Sequence, residues 1–178
     1  QGEIVPLSLS VHTHQRMQQL ARETGTTVFM ILQATLASLL KRVGAGDDIP
    51  IGAPIAGRNE AALNQLIGFF VNTLVSGNPS FRSLLQRIRQ SDAQAFANQD
   101  LPFERLVEAL KPPRSLARHP LFQTMLAFQQ GDRSDLGLPG LRSQLQPLHI
   151  GAAKFDLLLN LNEFSQADSS PDGISGFL

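Results

Sequence analysis

Residues 67–75 (IGFFVNTLV) constrain the fold more than any other stretch, because they are almost wholly apolar and polar segments flank them. β-Branched and aromatic residues dominate the stretch, which favours a buried β-strand over a helix. We therefore predict a central strand in which Gly68 permits the close approach of another backbone. Asn72 and Thr73 lie inside this apolar run. Either these polar side chains are satisfied within the sheet, or they serve a site.

The composition is that of a globular domain of ordinary size. The 178 residues are 42% hydrophobic and 17% charged, which argues against disorder and against a coiled coil. Fifteen basic residues balance fifteen acidic ones and form no basic run, so nucleic acid is a poor candidate partner. The chain has no cysteine, which excludes disulfides and thiolate nucleophiles and is compatible with a cytoplasmic location.

The sequence indicates neither a signal peptide nor a membrane span. The apolar-rich stretch at residues 28–40 is interrupted by polar residues and is too short to cross a bilayer. The chain starts without a methionine and stops on a strand-like run, residues 174–178. We therefore expect residues 1–178 to form one structural unit that is a fragment of a longer protein.

Hydrophobic periodicity predicts an α/β domain, a mixed β-sheet covered by helices. Alternating apolar and polar residues indicate strands within residues 4–11, 121–130, 141–150 and 155–164. Pro6 should place the first of these strands at an edge of the sheet.

Proline and capping residues set further boundaries. Residues 49–58 form an extended segment that should run along an edge or leave the sheet at Pro54. Thr13 is expected to cap a first helix, and Ser80 a later amphipathic one. Asp100 is placed to cap another helix that has Pro102 in its first turn.

Spacing alone reveals no catalytic constellation. His12 and His14 would share one face of the first strand, but no third ligand accompanies them at metal spacing, so zinc is not indicated. The chain contains no serine nucleophile elbow, no phosphate-binding loop and no dinucleotide fingerprint. Asp47 and Asp48 form either an acidic pair with a chemical role or a solvated turn.

Two segments resemble signatures of the condensation domains of nonribosomal peptide synthetases. Residues 67–75 match one family signature throughout, and residues 98–104 (NQDLPFE) resemble the family's (H/N)QDxPFE segment. Epimerisation domains share the fold but usually lack both forms, so the resemblance favours a condensing domain.

Two more segments extend the resemblance over nearly the whole chain. Residues 47–58 (DDIPIGAPIAGR) resemble the family's DDIxxGxPxAGR stretch. Residues 114–122 (RSLARHPLF) resemble RDxSRNPLF, from which Ser115, Ala117 and His119 depart.

The resemblance implies a chloramphenicol-acetyltransferase-like fold, in which two similar lobes meet with the active site between them. This chain resembles the C-terminal lobe only. The family's catalytic motif, HHxxxDG, belongs to the other lobe and does not occur here. Whether the chain is an enzyme by itself is therefore uncertain: we expect no catalytic residue in it and no peptide-bond formation without the N-terminal lobe.

The resemblance also implies which residues line the substrate channel. Asn72, Gln99 and Asp100 are expected near the channel, although a capping role for Asp100 is an equal alternative. Gly57 and Arg58 are expected at the channel rim. Further residues are assigned a structural part in the same segments: Gly68, Phe69, Phe70, Pro102 and Phe103.

The partners implied are the N-terminal lobe, peptidyl and aminoacyl carrier domains, and an adjacent adenylation domain. Phosphopantetheine would arrive on the carriers, and no cofactor or metal would bind directly. Two alternatives remain open. The chain could be a non-catalytic module that docks carrier domains, or part of another acyltransferase of the same superfamily.

Overall fold

The structure, a computed structural model, describes residues 2–54, 69–98, 101–113, 115, 118–131, 151 and 153–178, with residues 69–74 described by their backbone alone. In chain order the elements are β1 (Pro6–Leu9), α1 (Val11–Thr24), α2 (Val28–Arg42), β2 (Asp48–Ala53), β3 (Phe69–Leu74), α3 (Phe81–Ala97), α4 (Phe103–Leu110), β4 (Thr124–Gln130), β5 (Leu157–Ser165) and β6 (Pro171–Phe177).

The strands of the described residues form one six-stranded mixed sheet in the order β1-β6-β5-β4-β2-β3. The β2–β4 and β4–β5 pairs are parallel, and the other neighbours are antiparallel. This confirms the predicted α/β class and the edge position of β1. The predicted strand at residues 141–150 and the channel-rim residues Gly57 and Arg58 lie outside the described residues.

Helices α1, α2 and α3 cover one face of the sheet and form the core with it. Leu157, Leu159 and Leu161 alternate along β5, and all three lie against this core, as the sequence pattern predicts. Leu85 of α3 and Leu126 of β4 are completely buried between the layers. The helical layer is therefore held by aliphatic burial from both sides.

The central position predicted for residues 67–75 is wrong for the part that the structure describes. β3 lies at the end of the sheet and pairs with β2. β2 takes the interior place although it contains Pro50, because β4 pairs only with Ile51 and Gly52 and needs no N–H from the proline. β2 ends at Ala53, immediately before Pro54, which agrees with the predicted exit there, whereas the alternative of an edge strand is wrong.

The first helix begins earlier than predicted. Ser10, and not Thr13, is its N-cap, and the Ser10 hydroxyl accepts the backbone N–H of Thr13 at 3.2 Å. His12 and His14 are therefore helical and do not lie on a strand. The hydroxyl of Thr13 also lies 3.1 Å from that of Ser10, so Thr13 takes part in the first turn that Ser10 caps.

The later helix starts agree better with the sequence. Ser80 caps α3 as predicted, because its hydroxyl accepts the backbone N–H of Ser83 at 3.2 Å. Pro102 occupies the N-cap of α4 and makes no side-chain capping bond, so it precedes the first turn in which it was expected. Asp100 lies outside the described residues.

His14 ties α1 to the sheet by a buried polar contact. Its ring is fully buried, and Nδ1 accepts the backbone N–H of Gly173 at 3.2 Å. The proton is therefore on Nε2, which donates to Oε1 of Glu163 at 2.6 Å. This contact joins α1 to both β5 and β6.

A second buried polar contact joins α2 to α3. Asp92 is completely buried, and its Oδ1 accepts the Gln33 side-chain N–H at 3.2 Å. Its Oδ2 is buried without a hydrogen-bond partner among the described residues. Burial raises the pKa of Asp92 from 3.8 to about 6, and the Gln33 hydrogen bond opposes part of that rise.

Asp92 should make the protein less stable as the pH rises from 4 to 7. The folded-state pKa lies above the unfolded one, so the favourable contribution of the protonated carboxyl is complete below pH 4 and is lost through pH 6. A shift of this size corresponds to about 3 kcal/mol. Urea unfolding at several pH values measures how the free energy of unfolding changes with pH. In Asp92→Asn the fall between pH 4 and pH 7 should be smaller by this amount, and an unchanged dependence on pH would contradict the assignment.

Candidate functional site

Taken in chain order, the first two of the four family-like segments contribute a pair of strands. β2 belongs to residues 47–58 and β3 to residues 67–75, and the two run antiparallel. In this register Asn72 lies opposite Pro50, and Phe70 lies opposite Gly52. The sheet thus brings a predicted channel residue next to the DDIPIGAP strand.

The fourth segment, residues 114–122, packs onto this pair of strands at Gly52. A Cβ atom built on Gly52 would lie 2.2 Å from Cε2 of Phe122, which is closer than atoms can approach. The ring of Phe122 is 1% exposed, so it rests on the β2 backbone in space that only glycine leaves free. The ring of Phe122, at the end of the RSLARHPLF segment, therefore packs directly on the backbone of β2.

The third segment, residues 98–104, joins the other segments through an aromatic cluster. The cluster is formed by Phe103, His119, Phe122 and Phe155. The ring centroids of His119 and Phe122 are 4.1 Å apart, and those of His119 and Phe103 are 5.1 Å apart. Phe155 lies 5.4 Å from His119 and stacks on Phe122 at 5.5 Å. Such distances are typical of favourable aromatic pairs.

The described parts of all four segments consequently meet at one place. β3 pairs with β2, Phe122 rests on β2, and His119 connects Phe122 to Phe103 at the start of α4. Segments that are far apart in the sequence thus form one continuous structure. We take this region as the candidate functional site.

His119 is the titratable group at the centre of the aromatic cluster. Burial lowers the pKa of its imidazole, and a hydrogen bond to the Phe122 backbone opposes part of that shift. Its Nδ1 is buried without a hydrogen-bond partner among the described residues. Its backbone carbonyl accepts the side-chain N–H of Gln123 at 2.6 Å, which fixes the chain just before β4.

The structure describes only some of the predicted site residues. The backbone of Asn72 lies in β3, as do those of Phe69 and Phe70. Phe103 begins α4, and Pro102 is the N-cap that precedes it. The remaining predicted residues fall outside the described part of the chain: Gly57, Arg58, Gly68, Gln99 and Asp100.

Sequence reasoning missed the two residues that connect the segments. In the sequence, His119 stands out only as a departure from the family pattern, and Gly52 only as one residue of a matched stretch. The usable signal was a glycine inside an apolar strand, which indicates the close approach of another group. Nothing in the local pattern identifies Phe122 as that group.

Two further features of the described residues bear on function. They contain no group of three His, Asp or Glu side chains that could hold a metal ion. Within the same part of the chain, no helix is both long and apolar enough to cross a membrane.

The fold and this site match a known family. The family model of the condensation domain matches residues 1–168, and the chain belongs to that family. A dimodular nonribosomal peptide synthase of Bacillus subtilis (strain 168) is 52% identical over 182 residues, which cover 99% of this chain and 8% of that protein. An isonitrile lipopeptide synthase of Mycobacterium tuberculosis (strain ATCC 25618 / H37Rv) is 43% identical over 167 residues, covering 91% of this chain and 7% of that protein.

Solved structures agree with this membership. The X-domain from teicoplanin biosynthesis superposes with a TM-score of 0.84 at 33% identity, over 98% of this chain and 40% of that one. The same domain in complex with OxyB gives 0.82 at 33% identity, over 98% of this chain and 39% of that one. The first condensation domain of the CDA synthetase (TM-score 0.65, 15% identity, 98% and 39% of the two chains) shows the same chloramphenicol-acetyltransferase-like fold.

Replacing Gly52 tests the contact that holds the site together. Gly52→Ala places a methyl group inside the Phe122 ring, so the free energy of unfolding should fall by about 1–3 kcal/mol. Urea denaturation measures this loss. Adding Phe122→Leu to Gly52→Ala should restore part of the lost stability, because the smaller side chain relieves the overlap. Wild-type stability of Gly52→Ala alone would refute the packing.

Proposed function

We propose that this chain is the C-terminal half of a nonribosomal peptide synthetase condensation domain. The observation that supports the proposal most directly is the meeting of the four family-like segments around Gly52, His119 and Phe122. The 40% coverage of the X-domain chain is also what one lobe of a two-lobe domain would give. The N-terminal lobe would supply the HHxxxDG motif.

The reaction would join two substrates that are tethered as thioesters to carrier domains. The amine nitrogen of one attacks the thioester carbonyl carbon of the other. A C–N bond forms and the C–S bond breaks, the donor carrier's phosphopantetheine leaves as a thiol, and the amine loses a proton. Holding both tethered reactants in register lowers the activation barrier, by about 7–11 kcal/mol in well-oriented systems.

In this proposal the chain contributes a wall of the channel rather than the reacting groups. Asn72, Gln99 and Asp100 would provide polar contacts near the channel, with Gly57 and Arg58 at its rim. The partners would be the N-terminal lobe, the carrier domains and an adenylation domain, in the cytoplasm. Phosphopantetheine would enter only on the carriers.

Reconstitution tests the proposal. The chain by itself should form no peptide from two loaded carrier domains, because the HHxxxDG group is missing. A protein that joins it to an N-terminal condensation lobe should form the peptide, as detected by mass spectrometry. Inactivity of a folded two-lobe protein, with carriers that a known condensation domain accepts, would reject the proposal.

Asn72 is the residue whose role the two-lobe protein can test most directly. Asn72→Ala should lower kcat/KM about tenfold, the effect of losing one hydrogen bond of about 1.4 kcal/mol. Thr73→Val is the matched control, because neighbouring strand residues face opposite sides of a sheet. The control should stay within about threefold of wild type, and equal losses in both variants would speak against a channel role for Asn72.

A non-catalytic docking function is the second candidate. It is favoured by the X-domain from teicoplanin biosynthesis, which is 33% identical to this chain and has been solved in complex with OxyB. A docking module would bind a phosphopantetheinylated carrier, with localised NMR shifts, and yet form no peptide when its N-terminal lobe is present. Product formation by the two-lobe protein would exclude this reading.

A further inference from the structure

We propose that His119 is a positioning residue that, through the ring of Phe103, sets the place of α4 against the sheet. This inference rests on the proposed function, because the predicted channel residues Gln99 and Asp100 lie within four residues of the start of α4 in the sequence. His119 would act on the channel without touching substrate.

The first step of the argument is how weakly α4 is held otherwise. None of its residues is fully buried, and Leu110 is 56% exposed. Among the described residues, α4 packs closely against none of the other helices or strands. A helix of eight residues is marginal without tertiary support. Its place therefore depends on the few contacts that it does make.

The second step is the contact at its first residue. Phe103 begins α4, and its ring meets that of His119 at 5.1 Å with an interplanar angle of 39°. His119 in turn meets Phe122 at 4.1 Å, and Phe122 rests on Gly52 of β2. A continuous series of ring contacts thus runs from an interior strand of the sheet to the start of α4.

The third step is that only five residues, 98–102, separate α3 from α4 in the sequence. Asn98 caps the end of α3, and its carbonyl accepts the backbone N–H of Leu101 at 3.1 Å. The carbonyl of Pro102 then accepts the N–H of Arg105 at 3.1 Å. A displacement of Phe103 is therefore transmitted to Pro102 and Leu101, because a short connection can absorb little movement.

The imidazole suits this place better than the asparagine that the family pattern has there. A planar ring can contact Phe103, Phe122 and Phe155 at once, and all three of these contacts are present. The buried Nδ1 makes no hydrogen bond to the described residues. The ring contacts of His119 therefore carry its positioning role, which phenylalanine would keep and alanine would not, whereas its hydrogen bond to the Phe122 backbone stays within its own segment and does not reach α4.

Hydrogen exchange of this chain tests the inference without any activity assay. In His119→Ala the amides of α4 should exchange about tenfold faster, while those of α3 change by less than about twofold. His119→Phe should keep α4 within about threefold of wild type. Phe155→Leu, which removes another ring from the same cluster, should leave α4 protected. Unchanged exchange in α4, or equal acceleration with Phe155→Leu, would overturn the inference.

Kinetics of the two-lobe protein give a second readout. His119→Ala should lower kcat about tenfold and leave the apparent KM for the carrier-bound amine within about threefold, because the channel groups are displaced and not removed. His119→Phe should restore kcat. Wild-type kcat in a His119→Ala protein with a loosened α4 would overturn the inference. An inactive wild-type two-lobe protein would instead reject the proposed function, and the exchange result would then decide the inference alone.

Discussion

The ring of Phe122 on the backbone of Gly52 is the contact on which the rest of the candidate site depends. β2 has a strand on each side and helices over one face, so its other face is where a further layer can attach. A side chain at residue 52 would hold that layer away from the sheet. Glycine lets a large ring approach the backbone directly, and aromatic burial then supplies the attachment.

The two faces of the sheet are built on different principles. The helical face is aliphatic and contains two buried polar contacts, His14 with Glu163 and Gln33 with Asp92. The first of these contacts joins α1 to β5, and the second joins α2 to α3. The opposite face near β2 depends on aromatic rings from segments that are remote in sequence.

Periodicity predicted the strands and helices well, but it did not predict their neighbours. The alternation in β5 and the cap on Ser80 are local signals, and both are confirmed. The predicted cap of α1 on Thr13 is wrong, because Ser10, three residues earlier, is also a capping residue and makes the capping bond. The order of strands was not predictable, since an apolar strand can lie at an edge when other parts of the molecule cover it.

The candidate site was predictable only through resemblance. The four segments identify the family, but their polar residues suggest no chemistry without it. The series of ring contacts from Phe103 through His119 to Phe122 joins residues from separate segments, and no spacing rule anticipates it. His119 departs from the family pattern, so the resemblance gave no reason to select it.

The order of the strands has a consequence for how the chain folds. β1 pairs with β6, its partner from the other end of the sequence, and β2 pairs with β4 across α3 and α4. Each pairing closes a long loop before any burial rewards it, so such topologies fold slowly. Helices α1 and α2 can form early from local contacts. The sheet surface that they cover is complete only when the last strand docks, which leaves their apolar faces open to misassociation until then.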